Sequence, residues 1–178
     1  SIQEMGFFTV GNNSNCATSS ATGNNAPTVA GGSNYIIPGG TFFSLTAIGN
    51  DPDGTASLTY CWEQFDNEVG SMPPSPTNPV GPMFRSNSPI AEPTRYFPNL
   101  SDIINNISPT WEVLPTVDRT MDFRISLRDN FMVGGCTDED NVTLTVDGDT
   151  GPFLVTAPNT NVTWPAGSTQ TVTWDVAG

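Results

Sequence analysis

Histidine and lysine are absent from this 178-residue chain, and five arginines are its only basic side chains. Without histidine there is no imidazole to act as a general base, to activate a cysteine, or to complete the usual zinc sites. The three cysteines, Cys16, Cys61 and Cys136, are spaced too widely for a CxxC zinc or redox motif. Positive charge is scarce: 18 Asp and Glu oppose the arginines, for a formal net charge of −13. Such a surface cannot neutralise a phosphate backbone or adhere to an anionic membrane, so nucleic-acid and membrane-surface partners are excluded as expectations. Long apolar runs are missing as well. No stretch reaches the roughly 18 residues of a membrane-spanning helix. Ser1-Ile2-Gln3-Glu4-Met5 lacks the basic start and apolar run of a signal peptide.

What the chain does contain points to β structure. It has 17 Gly and 16 Pro, with Thr, Ser and Asn throughout, a mixture that disfavours long helices. Ten Phe, four Trp and three Tyr supply enough apolar area for a core. One disulfide and one leftover thiol in an oxidising compartment is the simplest use of three cysteines. Three pairings are open. Cys16 with Cys136 is favoured because both sit in Gly-, Asn- and Ser-rich segments free to approach each other. Both ends read as cut, so the chain is expected to be an internal piece of a longer secreted or cell-surface protein, with the remaining polypeptide as its first partner.

Residues 1–21 read as the tail of a preceding domain and a linker. A β domain is expected over 22–148. Tyr35-Ile36-Ile37-Pro38 runs into a Gly-Gly turn, and 41–48 alternates in part. The run from Leu58 to Phe65 places Leu58, Tyr60 and Trp62 on one face, with Trp62 in the core. Met121, Phe123, Ile125 and Leu127 alternate with Asp122, Arg124, Ser126 and Arg128, the pattern of a half-buried antiparallel strand. A final strand covers 141–146. The stretch 66–117 breaks the rhythm with ten prolines, which remove ladder donors and keep it out of central strands. It is expected to be a packed cover with one or two helical turns near 99–106, capped by Ser101. Asp147 to Pro152 forms a hinge into the start of a second β-sandwich, 149–178. The expected fold is therefore an all-β, antiparallel sandwich with a long Pro-rich insertion and part of a second β unit.

Acidic turns are the candidate chemistry. Asp51 and Asp53 flank Pro52 in an Asp-Pro-Asp-Gly turn, where two carboxylates can face one cation and Gly54 permits the bend. Asp129 ends the 121–128 strand, and Asp138 and Asp140 lie in a second acidic turn. Loops at one end of a sandwich cluster, so these five residues are candidate Ca²⁺ ligands. The alternative is that Asp, Asn and Gly simply make good turns and keep the protein soluble. Acid pairs for glycoside hydrolysis need one carboxyl in an apolar pocket, which solvated turns do not offer. No catalytic residue, zinc site or organic cofactor site is expected. The arginines read as partners for nearby carboxylates. Five Asn-x-Ser/Thr triplets, at Asn12, Asn99, Asn106, Asn141 and Asn161, read as chance matches in so Asn- and Thr-rich a chain.

Asp51-Pro52-Asp53-Gly54 followed by Leu58-Thr59-Tyr60-Cys61-Trp62 resembles the PKD/cadherin-like, immunoglobulin-type domains of bacterial exoproteins, as do 123–130 and 139–146. The run Gly81-Pro82-Met83-Phe84-Arg85-Ser86, Pro93-Thr94-Arg95-Tyr96-Phe97-Pro98 and Trp111-Glu112-Val113-Leu114-Pro115 is similar to a region downstream of the catalytic domain in reprolysin-like zinc metallopeptidases of Bacteroidetes. Gly151-Pro152-Phe153-Leu154-Val155 and Thr171-Val172-Thr173-Trp174 are similar to the β unit that follows there. The resemblance covers about residues 22–178. It implies a secreted accessory region, exported by type IX secretion, with Asp51, Asp53 and Asp129 as calcium ligands. The zinc-binding HExxHxxGxxH helix is absent. Two functions are expected to compete: a non-catalytic accessory, spacer or protein-binding module of a metallopeptidase, and an adhesin-type or filament-forming module binding proteins or glycans. For the glycan role, Tyr96, Phe97 and Trp111 are the aromatics to inspect.

Overall fold

The computed structural model describes residues 20–176. Ten strands and one helical turn make it an all-β structure: β1 (Thr28–Ala30), β2 (Tyr35–Pro38), β3 (Phe43–Thr46), β4 (Ile48–Asn50), β5 (Thr59–Gln64), β6 (Thr94–Phe97), α1 (Leu100–Ile104), β7 (Arg119–Arg128), β8 (Thr137–Asp147), β9 (Leu154–Ala157) and β10 (Thr173–Asp175). The largest sheet has the order β2-β8-β7-β5. Two-stranded pairs β1-β4, β3-β6 and β9-β10 accompany it.

The alternation over 121–128 is realised as expected. Met121, Phe123, Ile125 and Leu127 of β7 are fully buried, and Val142, Leu144 and Val146 of β8 join them. Trp62 of β5 packs into the same core at 3% exposure, in register with Ile125. Gly31 lies against Trp62, Val142 and Ile125, where an added Cβ would come within 3.0–3.4 Å of all three. One pairing departs from the antiparallel expectation. β2 runs parallel to β8, Tyr35 opposite Leu144. The two are joined by about a hundred residues, so no hairpin dictates their direction.

The Pro-rich insertion is part of the core. Met83 and Phe97 are fully buried and Phe84 nearly so. Phe43 stacks on Phe97 at 4.8 Å between ring centroids, Phe84 meets Phe97 edge-on at 5.2 Å, and Phe123 meets Phe97 at 4.9 Å. Two of the four rings thus come from the insertion. Offset and edge-to-face pairs add about 0.5–1.5 kcal/mol each beyond area burial. Its prolines do not prevent a strand, since β6 lies between Pro93 and Pro98 and, among the described residues, pairs with β3 alone. The insertion also closes the outer edge of β5: Tyr60 exchanges both backbone hydrogen bonds with Ile90 (2.7 and 3.0 Å), and the Trp62 indole donates to the Pro93 carbonyl. An edge strand left open would be a template for aggregation. The helical turn forms at 100–104 as anticipated, but it starts one residue before Ser101, with Asn99 at the cap position and no side-chain cap.

The segment between β8 and β9 is tied to the sheet. Gly39 N donates to the carbonyls of both Asp147 and Thr150, and Phe153 N donates to Thr41 Oγ1. Beyond it, Val155 pairs with Trp174 in the exposed β9–β10 ribbon, and Phe153, just before β9, lies 6.5 Å from the Trp174 ring.

Candidate functional site

Three features bring chemically active side chains together. The largest is a cleft of about 350 Å³ along the outer edge of β5. β5 supplies Tyr60, Cys61 and Trp62. The insertion supplies the rest, from Asn87 through Glu92 and Tyr96 to Asn99, Leu100 and Ser101. Half-exposed Ile90, Tyr96 and Leu100 make apolar walls.

Arg95 anchors this cleft. On β6, Arg95 and Phe97 point inward while Tyr96 points out. The guanidinium therefore enters the interior, where a charge must be paired. It donates to the Trp62 carbonyl (2.5 Å), to the Arg85 carbonyl (2.7 Å) and to Glu112 Oε1 (2.9 Å), and it lies 4.5 Å above the Phe97 ring. Glu112, at 3% exposure, accepts Asn99 N through its other oxygen. Burial lowers the Arg95 pKa, and Glu112 opposes that shift. One ion pair thus fastens β5, β6, the start of α1 and the 85 and 112 segments together. The Cys61 thiol donates to the Asn87 carbonyl, and burial raises its pKa, so it is a poor nucleophile.

The second feature is the cluster of acidic turns. Asp51 Oδ1 accepts Asp53 N. Asp53 accepts both the backbone N and the side-chain amide of Asn25, which hold its carboxyl below the usual range. Asp129, 2% exposed, accepts the Asn24 amide on Oδ2 and the backbone N of Phe131 and Cys136 on Oδ1. Burial raises its pKa, and these donors outweigh burial to leave it lowered. Asp53 and Asp129 are close enough to repel each other, with Asn24 and Asn25 bridging them.

Asp138 and Asp140 do not share that site. They stand in β8 itself, not in a turn, and accept Val29 N and Gly31 N of the β1 segment at 2.8 Å each. Their spacing of two puts both carboxylates on one face of the strand, matched to alternate N–H groups opposite. Among the described residues no three Asp, Glu or Cys side chains converge into a set able to hold a metal. Many of the carboxylate oxygens that a shared Ca²⁺ would use accept backbone or amide N–H groups here: both oxygens of Asp53 and Asp129, and one oxygen each of Asp51 and Asp138. For the disulfide, Cys136 is a half-buried thiol and Cys61 a buried one, while Cys16 lies outside the described residues.

The third feature is a polar cleft of about 210 Å³ beside Asp66, Asp122 and Arg119. Arg119, 6% exposed, donates to the carbonyls of Asn78 and Gly81. Asp66 accepts the Gln64 amide, whose oxygen in turn accepts Met83 N and Phe84 N, and burial raises the Asp66 pKa.

Sequence reasoning missed the Arg95–Glu112 pair and the bridging by Asn24 and Asn25. The first carried a signal: alternation in Thr94-Arg95-Tyr96-Phe97 places an arginine on the face of a core phenylalanine, which demands an acid elsewhere. Of the aromatics singled out, Phe97 is core, whereas Tyr96 and Trp111 are 40% and 48% exposed. No family model matches the chain, and no curated protein does.

Proposed function

We propose that this chain is a non-catalytic accessory and binding module of a secreted metallopeptidase, an immunoglobulin-like sandwich of the PKD/cadherin type with an insertion at its edge. The observation that carries the reading is how the buried ionisable groups are used. Arg95 and Glu112 tie the insertion to β5, Arg119 holds the loop carbonyls of Asn78 and Gly81, and Asp129 gathers the Asn24, Phe131 and Cys136 donors. Each is committed to shape. The result is a rigid edge surface whose exposed groups are suited to contact rather than to bond breaking. The Gly81–Pro115 motifs, on which the likeness to metallopeptidase accessory regions rests, are the ones that build this surface.

The reading is tested by the coding sequence that precedes Ser1. An HExxHxxGxxH motif there is the expected finding. Tandem Thr- and Asn-rich β repeats in its place would favour an adhesin or fibre segment. Separately, the purified chain should leave casein intact with and without added zinc, and cleavage would overturn the non-catalytic assignment.

A further inference from the structure

We infer that the β5-edge cleft is a subsite for a neutral saccharide, a deepening that rests on the binding-module reading above. The volume of about 350 Å³ falls at the lower end of the usual range for small-ligand sites, roughly 300–1,000 Å³. Its walls and rim have complementary chemistry. Tyr96, Ile90 and Leu100 present exposed apolar surface, suited to the C–H face of a sugar ring. Asn87, Glu92 and Asn99 also line the cleft, and among the described residues their side chains have no hydrogen-bond partner, so their amides and carboxylate are available to ring hydroxyls.

Charge selects among ligands. Arg95 is compensated by Glu112, which leaves Glu92 as the one charged lining residue without an ion pair among the described residues, in a chain of net charge −13. Anionic sugars and phosphorylated ligands are therefore repelled. An extended peptide has little to pair with, because Tyr60 already exchanges both backbone hydrogen bonds with Ile90 and the Trp62 carbonyl takes Arg95. Among the described residues Glu92 is the one carboxylate that lines the cleft, where glycoside hydrolysis needs two acting together. The site binds its sugar without cleaving it.

The test is a two-dimensional NMR titration of the intact chain with cellobiose and N,N′-diacetylchitobiose, with glucuronic acid as the anionic control. At least one neutral disaccharide should give saturable shifts at Tyr96 and Asn99, with a Kd of about 1 mM. Tyr96→Ala should weaken that binding about tenfold or more, while Tyr96→Phe retains it. Trp111→Ala, outside the cleft, should leave it unchanged. Unaltered melting curves would show that each variant is folded. The inference is overturned if neither disaccharide gives saturable shifts, if glucuronic acid binds more tightly, if binding survives Tyr96→Ala, or if a peptide produces the shifts at these residues instead. Any of these results leaves the accessory reading standing, since that reading depends on the sequence before Ser1.

Discussion

At the residue scale, Asp129 illustrates how a carboxylate in a loop becomes part of the framework. Asp129→Ala strands the N–H groups of Phe131 and Cys136, and should cost roughly 3 kcal/mol in chemical denaturation. The pH dependence has a definite sign. A carboxyl whose folded pKa lies below its unfolded value, about 3.9 for Asp, contributes stability that is complete above that value. The contribution is lost as pH falls through the lower folded pKa. Acid titration of stability should therefore be shallower in Asp129→Asn than in the wild type. Asp66 has the opposite sign: its raised pKa contributes stability at low pH that is lost as pH rises through the raised value. Asn24 and Asn25 bear on calcium in the same way, since their amides already meet Asp129 and Asp53. The melting temperature should be the same with EDTA and with added Ca²⁺. A rise with Ca²⁺ that disappears in Asp53→Asn would show that the ion displaces the amides.

Among the elements, β5, β6 and the insertion are joined by a buried ion pair that can be dissected. Arg95→Met alone leaves Glu112 charged and buried, at a cost of about 3–5 kcal/mol. The double variant Arg95→Met with Glu112→Met removes both charges and should recover most of that loss in urea unfolding, because a buried pair and an apolar pair of similar volume are often close in stability. Failure to recover would mean that the guanidinium bonds to the Trp62 and Arg85 carbonyls, not the charge pairing, hold the insertion. Much of the element pattern was legible beforehand. The strict alternation of Met121 to Leu127 gave β7, and Leu58, Tyr60 and Trp62 gave the inward face of β5. β6 was obscured by Pro93 and Pro98, which argue against a central strand but permit a short edge pair. Asp138 and Asp140 read as a turn because acidic and Asn residues usually punctuate strands. They extend β8 because Arg124 neutralises Glu139 at 3.1 Å and the β1 backbone uses the aspartates as acceptors.

For the whole molecule, stability should reside in the β2-β8-β7-β5 sheet and the insertion folded onto it. The β9–β10 ribbon exposes Leu154, Val155 and Trp174, and a two-stranded ribbon is marginal by itself. A chain ending at Phe153 should therefore melt at the same temperature as the full chain, and a clear drop in scanning calorimetry would show that the ribbon packs against the sheet. The sequence by itself determined the all-β class and the inward faces of β5, β7 and β8, and it called for a packed insertion. These follow from composition and from a two-residue period, both local properties of the chain. Only the tertiary structure decided that Arg95 meets Glu112, that Asn24 reaches Asp129 across 105 residues, and that β2 runs parallel to β8. Those are choices of partner between distant segments. Period and composition fix which face a side chain occupies, but which distant group stands opposite is set by how the whole chain closes on its core.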